Sequence, residues 1–184
     1  MISGEGIRLR AVEEVDLPLF VRWLNDPEVR RGITVYRPLS LAAERRWFEA
    51  ALQRPPDERP FVIEVCSQGE WVAIGNIGLH RIDWRNRSAE VGIMIGEKEY
   101  WNQGYGRAAM RLMLSHAFDT LNLQRVSLQV YANNPRAIRS YEKSGFVLEG
   151  RLRQAHYQDG VYHDVLVMSV LRPEWQDRHL HGGE

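Results

Sequence analysis

Two kinds of hydrophobic periodicity take turns along this chain. Apolar residues spaced by three and four positions predict helices, which cover residues 16–25, 40–53, 104–120 and 134–144. Apolar residues that alternate with polar ones, with many β-branched and aromatic side chains among them, predict strands. The predicted strands cover residues 7–11, 61–66, 71–80, 88–95, 125–131, 146–150, 152–158 and 161–170. This order predicts an α/β (α+β) domain, a mixed, mostly antiparallel sheet with helices packed on it.

Capping and turn residues mark the ends of the later elements. Asn134 suits the N-cap of a helix, and Pro135 suits the first helical position because its missing N–H has no partner there anyway. Gly145 suits the position after the helix, where a left-handed residue is common. The pair Asp159-Gly160 predicts a tight β-turn, so the last two strands form a hairpin.

The composition is that of one globular domain. With 184 residues, 44% apolar and 26% charged, the chain is long enough for a single sizeable core. We therefore expect one domain over residues 1–175 and a polar, disordered tail over residues 176–184. The first residues lack the apolar stretch of a signal peptide, and Cys66 alone cannot form an internal disulfide. Both observations favour the cytoplasm.

Charge and histidine spacing exclude several function classes. The 24 basic and 24 acidic side chains cancel, which disfavours nucleic acid and membrane surfaces as partners, because both usually require a basic excess. The chain also contains no apolar run of the length that spans a membrane. The histidines lack the spacing of metal ligands, so we expect no metal site.

The segment WNQGYGRA, residues 101–108, joins a predicted strand to a predicted helix. Gly104 and Gly106 would let a ligand approach the backbone closely, and the helix start directs free N–H groups and a positive dipole end toward an anion. A diphosphate would fit this arrangement. A tight turn that merely enters a helix would produce the same two glycines, and the segment matches neither a Walker A loop nor a dinucleotide fingerprint.

Four sequence blocks between residues 75 and 173 add to this observation. They are GNIGLHRID, AEVGIMIGEKEYWNQGYGRAA, NNPRAIRSYEKSGFVLEGRLR and DGVYHDVLVMSVLRPEW. In order and spacing they resemble the GNAT N-acetyltransferase superfamily, and within it the RimJ/RimL-like and spermidine acetyltransferase branches. Many family members begin the phosphate motif with Arg or Gln, whereas this chain has Trp101, which is common in the RimJ/RimL-like branch.

The resemblance implies the GNAT fold, acetyl-CoA as co-substrate and a set of cofactor-binding residues. A splayed strand would bind the pantetheine arm through the backbone of Ile93, Met94 and Ile95. The diphosphate would be held by the backbone amides of Gln103, Gly104, Tyr105, Gly106, Arg107 and Ala108. Asn134 would reach the cofactor arm, cap its helix, or do both. Lys143 and Arg107 are candidates for the nucleotide 3′-phosphate.

Two residues are the catalytic candidates that the resemblance implies. Tyr141 occupies the motif position of a tyrosine that donates a proton to the CoA thiolate as it leaves, although a buried core aromatic would also fit there. Glu90 matches the general base of histone-type enzymes, and an ordinary carboxylate at this position of a strand is the alternative. A base matters because an alkyl amine of pKa about 10.4 is only about 0.04% neutral at pH 7.

The acceptor amine is where alternatives stay open. The resemblance places the acceptor groove among residues 16–53 and the hairpin of residues 156–163. A protein N-terminal α-amine of the ribosomal-protein type is the first hypothesis, and a polyamine such as spermidine, or another small amine, is the second. A non-catalytic acyl-CoA-binding module is a third hypothesis, against which the presence of both Tyr141 and Glu90 argues. A homodimer is plausible for this family.

Overall fold

The computed structural model describes the backbone of residues 1–181 and the side chains of residues 1–177. Its strands are β1 (Ile2–Gly4), β2 (Ile7–Ala11), β3 (Phe61–Ser67), β4 (Glu70–Asp83), β5 (Ser88–Ile95), β6 (Arg125–Tyr131), β7 (Val147–Gln158) and β8 (Val161–Leu171). They form one sheet in the order β1-β2-β3-β4-β5-β6-β8-β7. The β5–β6 pair is parallel, and the pairs β1–β2, β2–β3, β3–β4, β6–β8 and β7–β8 are antiparallel. The predicted mixed, mostly antiparallel sheet is confirmed.

Six α-helices accompany the sheet in the described part of the chain. They are α1 (Leu17–Asn25), α2 (Pro27–Arg30), α3 (Leu41–Leu52), α4 (Tyr105–Ser115), α5 (Pro135–Lys143) and α6 (Arg172–His181). The helix predicted over residues 104–120 is α-helical only as far as Ser115, and residues His116–Thr120 continue it as a π-helical turn. The sequence analysis missed α2, because it has only four residues, and β1, because three residues are too few to show an alternation.

The sequence analysis also missed helix α6, which occupies part of the predicted C-terminal tail. The helix extends over residues 176–181, where the sequence analysis expects a disordered tail, and residues 182–184 lie outside the described residues. Trp175 anchors this helix: it is buried, and its ring centroid lies 6.0 Å from that of Phe118. Burial of one large aromatic side chain contributes roughly 1.5–3 kcal/mol, which offsets the polarity of the rest of the helix.

The fold consists of two compact units. The first contains Met1–His80 and Gly92–Met113, and the second contains Arg81–Val91 and the chain from Leu114 onward. In the first unit, helix α1 presents Phe20 and Trp23 to a core that also includes Val62 and Met94. The two aromatic rings are stacked with centroids 5.5 Å apart. In the second unit, alternate residues of β6 are buried, whereas β8 has consecutive buried residues at Val165–Leu166 and Met168–Val170, so this part of β8 is covered on both faces.

Candidate acetyl-CoA site and catalytic residues

The predicted phosphate loop begins with two left-handed residues in the first unit. Asn102 has a φ of 62° and Gly104 a φ of 88°, and together they turn the chain into helix α4. The Gly104 carbonyl accepts a hydrogen bond from the Ala108 N–H at 2.9 Å, so Gly104 is the residue that precedes the first helical turn. The N–H groups of that first turn have no partner within a helix and point out of its end. This is the geometry that binds an anion through backbone amides.

The two glycines of the loop are required for different reasons. At Gly104 the backbone itself demands glycine, because a side chain is strained at a φ of 88°. At Gly106 the fold makes no such demand: an added Cβ would meet only Ile95 Cγ1, at an ordinary 3.7 Å. A glycine inside a helix costs about 1 kcal/mol relative to alanine. Glycine at position 106 therefore destabilises the helix and is not required by packing within the protein. Such a glycine is expected where a ligand approaches the backbone.

Strand β5 carries the predicted pantetheine segment. Its parallel pairing with β6 joins Ser88–Glu90 to Arg125–Ser127, and β5 continues beyond this ladder to Ile95. On that edge the Ile95 carbonyl accepts a hydrogen bond from Trp101, and the backbone groups of Ile93 lie beyond the parallel ladder, where a ligand could bond to them. Met94 is buried in the core of the first unit, whereas Ile93 and Ile95 are half-buried. This alternation anchors the segment on one side and leaves the other side accessible.

Trp101 connects the phosphate loop to this strand. Its indole Nε1–H donates a hydrogen bond to the Ile95 carbonyl at 2.8 Å, and its ring packs against the core cluster that contains Phe20 and Trp23. The residue that departs from the Arg or Gln of many relatives thus has a structural role. It holds the start of the loop against the end of the strand, which fixes the two predicted cofactor-binding segments relative to each other.

Gly75 contributes to the same region, and the sequence analysis did not single it out. A Cβ at this position would lie 2.1 Å from the Met94 carbonyl oxygen and 3.0 Å from Ile95 Cα. Strand β4 can approach the pantetheine segment this closely only with glycine here. The available signal was an isolated glycine within a strand pattern, which often marks a close backbone approach.

Tyr141 lies on α5 in the second unit and is half-buried. Its ring meets that of Phe146 edge-on, with centroids 5.9 Å apart. Burial raises the pKa of Tyr141 to about 12, because an apolar environment disfavours the phenolate. The phenol therefore keeps its proton at neutral pH, which a proton donor must do.

The other predicted residues of α5 lie at its two ends. Asn134 Oδ1 accepts a hydrogen bond from the Ala137 N–H at 3.2 Å, so the capping role is confirmed. Gly145 follows the helix with a φ of 103°, as predicted for the residue after a C-terminus. The Lys143 side chain is exposed in the last turn, where a cation is favourable. The roles of Asn134 and Lys143 toward the cofactor stay predictions.

Glu90 lies on the paired part of β5, opposite Ser127 of β6. Its Oε1 accepts a hydrogen bond from Arg81 Nη1 at 3.0 Å, and its side chain is 29% exposed. The carboxylate is accessible and held in place, as a base that acts directly or through one water must be. The sequence motifs gave no sign of this contact between Arg81 and Glu90.

Glu44 was missed as well, and its environment is unusual for a carboxylate. It lies on α3, is only 3% exposed, and burial raises its pKa above the ordinary range. Among the residues whose side chains are described, it forms neither a hydrogen bond nor an ion pair. The only fully enclosed side-chain polar atom without a partner in this part of the chain is His156 Nε2, so the Glu44 oxygens keep some contact with solvent.

Six aromatic residues from the predicted groove segments and the turn between β4 and β5 fall into two groups. Trp23 is buried in the core of the first unit, and Trp47 packs against it, so these two are structural. The other four are more than half exposed; they are Tyr36, Trp84, Tyr157 and Tyr162. Within the described residues no group of three or more potential metal ligands is present, and no helix is long and apolar enough to cross a membrane.

Comparison with known proteins identifies the family. Residues 7–147 match the family described as an acetyltransferase (GNAT) domain. The spermidine N(1)-acetyltransferase of Vibrio cholerae is 30% identical to this chain over 94% of its length and 96% of the relative. A putative ribosomal N-acetyltransferase of Bacillus subtilis, YdaF, is 37% identical, but that match spans 55% of each chain.

Solved structures agree. The Vibrio cholerae spermidine N-acetyltransferase in complex with CoA and spermine has a TM-score of 0.82 and 30% identity over 94% of this chain and 99% of that one. Another structure of that enzyme is described as dodecameric. The chain belongs to the GNAT acetyltransferase family. It is an N-acetyltransferase with acetyl-CoA as its co-substrate, so the hypothesis of a non-catalytic module is not needed.

Proposed function

We propose that the chain acetylates a small cationic amine, with a polyamine such as spermidine as the first acceptor to test. Two relatives that span nearly the whole chain, from Vibrio cholerae and Escherichia coli, support this class, because both are spermidine N(1)-acetyltransferases. The protein N-terminal α-amine, which the sequence analysis placed first, is supported by the YdaF match, which covers about half of each chain. It is therefore the second candidate.

The buried carboxylate of Glu44 is the observation that carries the proposal. Leaving a charged group buried without a partner costs several kcal/mol. Burial accordingly raises the pKa of the Glu44 carboxyl. A cationic amine that docks beside Glu44 would repay the cost with a charge-assisted hydrogen bond. Glu44 lies on α3, within residues 16–53, which the resemblance assigns to the acceptor groove.

In the proposed reaction the neutral amine nitrogen attacks the thioester carbonyl carbon of acetyl-CoA. The C–N bond forms as the C–S bond breaks, and the amine proton passes to Glu90, directly or through a water. The leaving thiolate of CoA takes a proton from the Tyr141 hydroxyl. Glu90 matters most for alkyl amines, because so little of a high-pKa amine is neutral at pH 7. The amides of residues 103–108 bind the diphosphate.

Replacing Glu44 tests the acceptor class. For Glu44→Gln we expect the KM for spermidine to rise about tenfold, the equivalent of one charged hydrogen bond of roughly 1.4 kcal/mol. The KM for acetyl-CoA should stay constant, and stability should not fall, because the variant removes an unpaired buried charge. Release of free thiol from acetyl-CoA measures both constants, and thermal unfolding measures stability. Glu49→Gln, on the exposed face of the same helix, is the matched control.

The same assay separates the two acceptor classes. Spermidine and a peptide that begins with Ser or Ala, as ribosomal proteins do, are compared at equal concentrations with the unmodified chain. Faster thiol release with spermidine supports the proposal. Faster release with the peptide would leave the acetyl transfer intact but move the acceptor to protein N-termini. Equal KM values for spermidine in Glu44→Gln and the unmodified chain would remove Glu44 from the acceptor site.

We also propose that the chain self-associates, as the Vibrio cholerae enzyme does. Strand β7 is the last in the sheet order, and it and β8 expose apolar side chains; the most exposed are Val147, Leu148, Tyr157, Val161 and Tyr162, each above 50%. Large apolar side chains that stay exposed at both ends of this hairpin are candidates for an interface. Sedimentation velocity should show a homodimer or larger species that Leu148→Glu shifts toward the monomer. A purely monomeric unmodified chain would contradict this.

A further inference from the structure

Arg81 has a backbone conformation that is unusual for an arginine within a strand. It lies inside β4 with a φ of 54°, in the left-handed region that residues with a Cβ avoid. Such a conformation costs roughly 1–3 kcal/mol and persists only where the surrounding structure enforces it. A left-handed residue within a strand interrupts the regular alternation and redirects its side chain, as bulges do beside active sites.

The redirected side chain reaches Glu90. Arg81 Nη1 donates to Glu90 Oε1 at 3.0 Å, while the arginine side chain is 73% exposed. An exposed ion pair of this kind contributes about 0–1 kcal/mol to stability. This gain is smaller than the cost of the backbone conformation, so stability alone does not account for the pair.

On the neighbouring strand β6, the groups nearest to Glu90 bond to other partners. Across the strand on β6 it faces Ser127, which is uncharged, and Ser127 Oγ–H donates to the Ala89 carbonyl at 3.4 Å. Arg125, two residues earlier on β6, is held by both carboxylate oxygens of Glu149 at 2.5 Å. From β4, the ion pair with Arg81 restrains the direction of the Glu90 carboxylate.

We infer that Arg81 is a positioning residue for Glu90, which it holds in the direction that proton transfer from the acceptor amine requires. This inference rests on the proposed role of Glu90 as the base. Arg81 need not touch the substrates, and its strained backbone is the cost of directing its guanidinium to the carboxylate.

Replacing Arg81 with glycine separates positioning from stability. Glycine adopts a positive φ without strain, so Arg81→Gly should unfold at the same or a higher temperature than the unmodified chain. With spermidine at pH 7 we expect kcat to fall about tenfold, while the KM for acetyl-CoA stays constant; this loss is smaller than that of removing a general base itself, because only its orientation is lost. The loss should be smaller for an amine of low pKa, which needs the base less. Arg81→Lys, which keeps the charge, should recover part of the activity.

Arg87→Gly is the matched control. Arg87 also has a left-handed φ, 53°, and lies in the turn between β4 and β5. Its guanidinium donates hydrogen bonds to Asn122 and not to Glu90. The dependence of kcat on the amine pKa should be the same in Arg87→Gly as in the unmodified chain. If Arg81→Gly fails to fold, Arg81→Gln gives the same kinetic test.

Glu90→Gln distinguishes the failure of this inference from the failure of the proposed base. A large loss in Glu90→Gln together with normal turnover in the Arg81 variants would overturn the positioning role and leave the base. Normal turnover in Glu90→Gln would overturn both. Parallel losses that depend on the amine pKa, with partial rescue by lysine, support the inference.

Discussion

Replacing Tyr141 with phenylalanine should lower kcat about 100-fold or more, the size typical of a lost general acid. The change removes only the hydroxyl, so the ring should still meet Phe146 edge-on and α5 should remain folded. Binding of acetyl-CoA should change little, because the hydroxyl is needed as the thiolate leaves and not while the thioester is bound. Thiol release gives kcat, and equilibrium binding of acetyl-CoA gives the comparison.

The pKa of Tyr141 adds a second readout. Because burial raises this pKa to about 12, the phenol stays protonated from pH 6 to pH 10. Deprotonation of Tyr141 should therefore cause no fall in the kcat of the unmodified chain in this range. The pH profiles of the unmodified chain and Tyr141→Phe should have the same shape there and differ only in height. Phe146→Leu changes the neighbouring ring but keeps the hydroxyl, and it should retain far more activity. Unchanged turnover in Tyr141→Phe would assign the residue to the core alone.

Replacing Gly106 with alanine should separate cofactor binding from folding. An alanine here meets only Ile95 at an ordinary distance, and alanine favours a helix by about 1 kcal/mol, so stability should hold or rise. The KM for acetyl-CoA should nevertheless rise about tenfold or more, the equivalent of one lost hydrogen bond to a charged group. The methyl group would occupy the space where a phosphate oxygen approaches the backbone.

Two further glycine variants make this result interpretable. Gly104→Ala should raise the same KM and also lower stability, because the φ of 88° is strained for alanine. Gly150→Ala, on β7, has open space for a Cβ and should change neither quantity. An unchanged KM in Gly106→Ala would mean that the diphosphate does not approach residues 104–106 closely.

Local patterns were sufficient for most of the fold. Strands β2, β5 and β6 have the predicted bounds because their side-chain alternation is visible within each segment. The cap at Asn134 and the glycine after α5 were equally readable, since a cap depends on residues three positions apart. The tertiary contact of Trp175 with Phe118, which anchors α6, involves residues 57 positions apart and leaves no local pattern.

For the candidate site the division is similar. The motifs placed Gly104, Gly106, Glu90 and Tyr141, because a phosphate loop and its following helix are contiguous in sequence. They could not reveal that Gly104 is required by its backbone whereas Gly106 is not, since this difference depends on φ and on the distance to Ile95.

The sequence by itself therefore determined the order of the longer elements before α6, the GNAT class and the chemistry of acetyl transfer, all of which depend on short segments. Only the tertiary structure decided that Glu44 is buried without a partner, that Arg81 is strained toward Glu90, and that Gly75 admits the Met94 carbonyl. The physical reason is that burial, ion pairing and close packing are properties of surroundings. Those surroundings are assembled from residues far apart in the chain, and no periodicity within one segment records them.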